Sequence, residues 1–437
     1  MRNLLKIGIL TLVLSPLAAG LKFDLSSAVD YALKHSPTYL QAVKSTEAAK
    51  AQARKASSLF LPQVKLQGQD ILRKKVFTVE IPPLFPGDRP KKVKMDFTRK
   101  YQFGLNLTQP LFTSGRLTST YRINQLQAKA AEMDLLQKRL DLIYQVKKAF
   151  YSVLLARKMV EIQKESSRLA YEHYRQVKAL YEVGSATKFE LLQAKVNWEN
   201  TKPDLLQAEN SLRLARLNFK NLLGLEGDFE LEGNLYYYPL EVDLKTLEKF
   251  ALSHSPALLA IKYRTEAAAQ GINLARSQFG PSLALVFDYN FRSQNFNFKA
   301  NNWEDYYTLA LSFSVPLFSG FSRVEDLRAA TSQFYSAKYG EQALRQAVLM
   351  RLQAAYRRAK QAQASYLSAR DTVKEAKEGV RLAKVNYQQA LITSLQVEQA
   401  RLSLKMAEMN MFNALYQYNE ALAEIESITG YKFGGEK

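Results

Sequence analysis

The chain has 437 residues, with 61 Lys and Arg against 41 Asp and Glu, a formal charge of +20 and 47% hydrophobic residues. It holds no Cys and three His, which excludes a disulfide scaffold, a thiolate metal site, a cysteine nucleophile and a lipid-modified cysteine, and makes a multi-histidine metal centre improbable. The charge calls for an anionic partner (nucleic acid, anionic lipid or acidic cargo), and composition alone does not choose among them.

Residues 1–20 read as a secretory signal peptide. Arg2 and Lys6 precede the apolar run from Ile7 to Ala19, and Ala18-Ala19-Gly20 offers small residues for cleavage after Gly20. The 15 uncharged residues from Ile7 to Leu21 fall short of a spanning helix, which needs about 20. Cleavage removes two positive charges and leaves +18. Export demotes nucleic acid as the partner.

From Leu25 to Leu59 an Ala-, Gln- and Lys-rich stretch predicts a helix, ended by Pro62. A β-hairpin is expected at about 62–109. Its second strand alternates Tyr101, Phe103, Leu105 and Leu107 with Gln102, Gly104, Asn106 and Thr108, which is the period of two that strands require. The insertion from Ile71 to Lys100 carries nine basic against three acidic residues and four prolines, and reads as a loop. From Arg116 to Glu182 there are 67 residues without Pro or Gly. At about 1.5 Å per residue they predict a helix of about 100 Å, far beyond the needs of a globular domain. The turn Val183 to Thr187 leads into a second helix, Lys188 to Leu223, which Pro203 is expected to kink.

The chain then repeats itself. Leu25 to Pro37 matches Leu244 to Pro256 at an offset of 219, and Pro110-Leu111-Phe112 matches Pro316-Leu317-Phe318 at 206. The second pass gives a helix from Leu244 to Phe279 and a hairpin at about 281–315. Its strands show Leu283, Leu285, Phe287, Tyr289 and Phe291, then Tyr307, Leu309, Leu311, Phe313 and Val315, on alternate positions. Long helices from Phe321 to Gln389 and from Ser394 to Thr429 follow. Tyr306 to Ser322 is a run of 17 uncharged residues, but Pro316, Gly320 and the alternation oppose a membrane helix there. The reading is two structural repeats, 21–230 and 231–437, with helical hairpins at about 116–223 and 321–429.

A sheet with one aliphatic and aromatic face and one face of Ser, Thr, Asn and Gln suits a wall between lipid and water. The lipid-facing set is Tyr101, Phe103, Leu105, Leu107, Leu285, Phe287, Tyr289, Leu309, Leu311 and Phe313. Four strands cannot close a barrel, and open edges are not tolerated in hydrocarbon, so several copies must associate; three would supply twelve strands. At the strand-to-helix junctions, Pro110 and Pro316 are expected to end the ladders, and Gly115 and Gly320 to permit the bend. The competing reading of the strands alone is a soluble sandwich.

The doubled Pro-Leu-Phe junction and the tip Tyr181-x-Val183-Gly184-x-x-Thr187 resemble TolC-type outer-membrane efflux proteins. So do the helix starts Ala32 to Pro37 and Ala251 to Pro256, and Leu222-Leu-Gly-Leu225. The resemblance covers essentially the whole mature chain. It implies an α+β membrane protein: a homotrimer with a 12-stranded β-barrel and a periplasmic α-helical tunnel, located in the outer membrane and acting as a passive, non-enzymatic channel without cofactor or metal. It further implies docking of the tips (Val183, Gly184, Ser185, Thr187, Ala390, Leu391 and Thr393) to a periplasmic adaptor and an inner-membrane pump of RND or ABC type. Ala390 stands where the family usually places glycine. At the positions of the family's aperture aspartates the chain has Gln396 and Gln399, with Glu398 between, so an aperture closed by hydrogen bonds rather than by a charged ring is expected.

Three features remain. His35, His173 and His254 lack convergent partners and read as helix-end or helix-surface structure, since a metal site needs three or four ligands. Glu161 and Glu165 read as a solvated helix face. The basic loop, with Lys91, Lys92 and Lys94, is expected to meet outer-membrane lipid phosphates. Small-molecule efflux leads; a type I protein secretion conduit is the rival within transport, and a periplasmic coiled-coil scaffold outside the membrane is the rival of another class.

Overall fold

The computed structural model describes residues 21–433, apart from 74, 83, 84, 86, 88, 96–98, 298, 300, 301 and 390. The expected signal peptide, 1–20, and Ala390 lie outside the described residues. The elements in chain order are β1 (Leu21–Phe23), α1 (Leu25–His35), α2 (Pro37–Ser57), β2 (Gln63–Asp70), β3 (Phe77–Ile81), β4 (Lys91–Met95), β5 (Tyr101–Phe112), α3 (Arg116–Glu182) and α4 (Lys188–Leu223). They continue with β6 (Phe229–Leu231), α5 (Leu244–His254), α6 (Pro256–Ser277), β7 (Ser282–Ser293), β8 (Glu304–Ser314), α7 (Ser322–Gln388) and α8 (Ser394–Thr429). Two compact units arise, each drawing on both repeats: residues 46–132 with 260–342, and the remainder.

The first of these units holds an antiparallel sheet in the order β2-β5-β7-β8. Its register aligns Leu66, Leu105, Tyr289 and Tyr307 in one cross-strand row and Val64, Leu107, Phe287 and Leu309 in the next, so one face is apolar across all four strands. The opposite face carries Lys65, Asn106, Asp288 and Thr308 in one row and Gln69, Gln102, Arg292 and Glu304 in another. Asn106 Nδ2 donates to Asp288 Oδ1 at 2.7 Å on that polar face.

Two expectations are corrected in this unit and one in the other. Pro110 does not end its strand: it pairs with Ala284, and β5 passes through a bulge to Phe112. A bulge tolerates the missing N–H of proline. The bend follows at Ser114 (φ 51°) and Gly115 (φ 88°), and its counterpart lies at Gly320 (φ 60°) and Phe321 (φ 64°), after β8 has stopped short of Pro316. The basic insertion is not a bare loop, because β3 and β4 pair within it. In the other compact unit each short helix is broken rather than continuous, at Ser36 and at Ser255, because the residue before a proline is steered out of the helical region.

The other unit is built on helices of small and branched residues. One core joins Phe23, Ala28, Ala32, Val146, Phe150, Phe219 and Phe229; another joins Leu247, Ala251, Leu352, Ala355, Ala359, Tyr418 and Ile425. The second is the first shifted along the repeat, with volumes exchanged. Ala359 replaces Val153, and Tyr418 replaces Leu212 and fills the space, its hydroxyl donating to the Tyr238 carbonyl at 2.5 Å. Burial, with neighbouring Tyr237, pushes the Tyr418 phenol well above its ordinary pKa. A parallel pair, β1 with β6, closes this unit and had no alternating signal in its three-residue strands. α4 continues through Pro203.

Candidate functional site

The helical tips are two copies of one device. At the first, α3 ends with Gly184 (φ 76°), whose N–H donates to the Tyr181 carbonyl at 3.0 Å, while Ser185 N donates to Leu180 O at 2.8 Å. At the second, Leu391 N donates to Asn386 O at 2.9 Å, the same bond 206 residues on. Thr187 then caps α4: its Oγ1 accepts from Glu190 N at 3.2 Å, and Thr187 N donates to Glu190 Oε2 at 2.8 Å. Thr393 caps α8 in the same reciprocal way with Gln396, at 3.4 and 2.9 Å. These are capping boxes, which satisfy helix-terminal donors from both sides. The Thr187 hydrogen bonds hold the Glu190 carboxyl below its ordinary pKa. Val183 and Leu391 are exposed apolar side chains at the two tips, 73% and 68% accessible.

The expected aperture residues part company. Gln396 is engaged in the cap and its side chain is exposed; Gln399 is also exposed. Glu398 turns away from them. It accepts from Arg401 Nη1 at 2.8 Å, with the pair only 21% and 17% accessible. Beside this pair, His173 on α3 is 6% accessible and its Nε2 lies 2.7 Å from Ser394 Oγ, the first residue of α8. The helix-surface expectation for His173 is therefore wrong: packing of α3 against α8 buries it. Burial lowers its pKa, Glu398 opposes that and Arg401 adds to it. Sequence offered no signal for this link, because Glu398 and Arg401 follow Ser394 at i+4 and i+7 and that helix face reads as polar. Lys405 Nζ to Asp204 Oδ2, at 3.2 Å, is another link between the helical hairpins.

His35 and His254 take the bland role. Each donates from Nδ1 to a carbonyl one turn back, that of Tyr31 or Phe250, and stacks on the ring of the same residue, with centroids 4.0 and 4.3 Å apart. Glu161 pairs with Lys158 and Glu165 with Arg168, each at 2.6 Å on an exposed face. Among the described residues, no group of three or more His, Cys, Asp or Glu could hold a metal ion, and no helix is long and apolar enough to cross a membrane.

The residues expected to face lipid, Tyr101, Phe103, Leu105, Leu107, Leu285, Phe287, Tyr289, Leu309, Leu311 and Phe313, all fall on the apolar face of the sheet. At the sheet end away from the helix junctions, Phe296 and Trp303 fold against Tyr101 and Phe103, with centroids 5.3 Å (Tyr101 to Phe296) and 5.4 Å (Phe103 to Trp303) apart. In the β3–β4 hairpin Lys91 shares a face with Phe77, Val79 and Ile81, whereas Lys92 and Lys94 lie on the other, Lys92 paired with Glu80 at 2.9 Å. At the junctions, Ser114 Oγ donates to the Pro281 carbonyl at 2.7 Å, tying the end of one hairpin to the start of the other.

The comparisons with known proteins accord with this geometry. The chain is 23% identical over 334 residues to the outer membrane protein TolC of Vibrio cholerae, covering 75% of this chain and 76% of that one. It is 23% identical over 338 residues to the alkaline protease secretion protein AprF of Pseudomonas aeruginosa, covering 76% and 69%. The CmeC outer membrane channel of Campylobacter jejuni superposes with a TM-score of 0.76 over 93% of this chain and 85% of that one, at 20% identity. A family model described as outer membrane efflux protein matches residues 28–225 and 248–431, and the chain therefore belongs to the outer membrane efflux protein family.

Proposed function

We propose that the chain is a passive outer-membrane conduit, closed by three copies of itself and fed by a periplasmic adaptor and an inner-membrane pump. The single observation that carries this reading is the four-stranded sheet, apolar on one face and polar on the other, with β2 and β8 at its edges. Strands alternate in direction along β2-β5-β7-β8, so β8 of one copy meets β2 of the next antiparallel, and the ladder continues without a reversal. A closed barrel is the form in which such a sheet satisfies its edge groups in lipid. Three copies give twelve strands, with the polar rows inward. A scaffold outside the membrane would have no use for the continuous apolar face.

The tips are where the adaptor docks in this reading: Val183 and Leu391 present apolar side chains beside rigid, capped turns. The described aperture residues support closure by amides, since Glu398 is held by Arg401 and only Gln396 and Gln399 are left exposed. Cargo follows the pump. One relative is a secretion protein and another, CusC, a cation efflux system protein, so both polypeptide and small-molecule export occur among the relatives. No step of chemistry is assigned to the chain; the pump supplies the energy. The two repeats 21–230 and 231–437 are read as one duplicated unit. Lys91 and Lys94 of the β3–β4 hairpin are available for lipid phosphate, Lys92 less so because of Glu80.

The test is crosslinking in cells from Ser185 and Ile392, with membrane fractionation alongside. The expected result is a detergent-requiring outer-membrane trimer that captures an adaptor. A protein released by a salt wash, or one that stays monomeric, overturns the proposal.

A further inference from the structure

We propose that Arg99, Arg292 and Glu304 form an anion-attracting collar at the outward end of the polar face, which gives the conduit a preference for anionic solutes. The inference rests on the preceding reading that this face lines water. Arg292 and Glu304 are cross-strand partners in the last polar row before the loops, the end of the sheet opposite the helix junctions. Arg99, just before β5, donates two N–H groups to the same Glu304 carboxylate. Two guanidiniums therefore converge on one carboxylate, and the cluster keeps a charge of +1 in each chain.

Both guanidinium side chains stay partly open to water, Arg99 at 33% and Arg292 at 41% accessible. Arg292 Nε lies 3.3 Å from Glu304 Oε2, within ion-pair distance, yet it is off the hydrogen-bonding direction and is buried without a hydrogen-bond acceptor. The guanidinium of Arg292 also lies over the Tyr306 ring, 5.1 Å from its centroid, which fixes its position. A planar, fixed and partly accessible guanidinium suits carboxylate and phosphate oxygens. Elsewhere on this face the charges cancel: Lys65 and Asp288 flank Asn106 in a single row. In the tip unit, Gln396 and Gln399 are exposed and uncharged, and Glu398 is paired. Asp70 and Asp305, at the same strand ends, fall in register with Tyr101 and Phe291 on the other face, so on the polar face the excess of the arginine pair is left to select. Three copies place three net positive charges around one opening, and a low-dielectric wall focuses their field.

The test is reversal potential in a KCl gradient, with the full-length trimer reconstituted in a planar bilayer of neutral phosphatidylcholine. Chloride is expected to permeate ahead of potassium. Arg99→Gln and Arg292→Gln should each move the ratio toward unity, by roughly twofold at low salt, and high salt should erase the difference. Glu304→Gln should raise it, which keeps the test informative if an arginine variant fails to insert. A potassium-preferring channel, or a ratio that none of the three variants changes, overturns the collar. Differences that appear only after lipopolysaccharide is added would assign the arginines to lipid phosphate and overturn it equally. Absence of any conductance would instead refute the conduit reading.

Discussion

The two tips make the same reciprocal cap with different chemistry, and acid should separate them. Thr187 and Glu190 share a charge-assisted bond, whereas Thr393 and Gln396 share a neutral one. Thr187→Ala removes the acceptor of Glu190 N, and loss of such a cap costs about 1 kcal/mol. That corresponds to roughly fivefold faster hydrogen exchange of the first-turn amides of α4 when exchange follows local opening. The pH dependence follows from the direction of the Glu190 shift. Its folded-state pKa is depressed by Thr187, so its contribution is present above the unfolded value of 4.5 and is lost as pH falls through the folded one. Gln396 does not titrate. Hydrogen exchange by mass spectrometry, corrected for intrinsic rates and compared between pH 7 and the region below the ordinary carboxylate range, should show the α4 start loosening while the α8 start holds. Glu190→Gln should abolish the acid response without matching the loss caused by Thr187→Ala. Equal loosening at both tips, or none at the first, would refute the reasoning.

Gly280→Ala should weaken the sheet-to-helix corner by about 1–3 kcal/mol, because a β-carbon there would stand 2.2 Å from Ser114 Oγ. Thermal melting of the reconstituted protein reports it, and adding Ser114→Gly should recover most of the loss. Tyr418→Phe should cost about 0.5–1.5 kcal/mol, since the Tyr238 carbonyl loses its donor on a residue that water can reach, and Tyr418→Ala about 3–5 kcal/mol, as a cavity opens in an alanine-lined core. Both are read as shifts in melting temperature. Single-channel current should be blocked weakly by millimolar divalent cations, because no exposed carboxylate stands at Gln396 or Gln399; strong block would contradict an amide aperture.

The long helices and the sheet faces were legible because their signals are local and repeated. Nothing between Arg116 and Glu182 can break a helix, and Gly184 supplies the left-handed turn that stops it. The period of two from Tyr101 to Leu107 assigns faces before any pairing is known, and the register then only joins like to like. Pro110 misled because a proline excludes only one ladder hydrogen bond, and a bulge can absorb that defect. The basic insertion misled because its prolines hide two five-residue strands whose alternation, Phe77, Val79, Ile81, is short. His173 and the Arg99–Arg292–Glu304 cluster were beyond reach for another reason. Each joins residues about 200 positions apart, His173 to Ser394 and Arg99 to Glu304, and neither type nor spacing marks such pairs before the fold brings them together.

Read as one duplicated unit, the two repeats account for the same geometry and different chemistry in one chain. From the strand-to-helix junctions onward the offset of 206 is kept, at both tip turns, at both capping threonines and at the buried positions Val146 and Leu352. It is not kept for volume or charge. A larger residue on one helix offsets a smaller one on its neighbour, as Tyr418 does for Ala359, so the core fills without either position being fixed alone. Charge has no such constraint, and it drifts where water can accommodate it, giving Glu190 in one half and Gln396 in the other. A charge at one tip is therefore free to respond to pH while the structure that carries it stays the same in both. The net positive balance follows the same logic: it is found at the β3–β4 hairpin and on the polar face of the outward strand ends, where water and anions compensate it, while the exposed amides of Gln396 and Gln399 stay neutral.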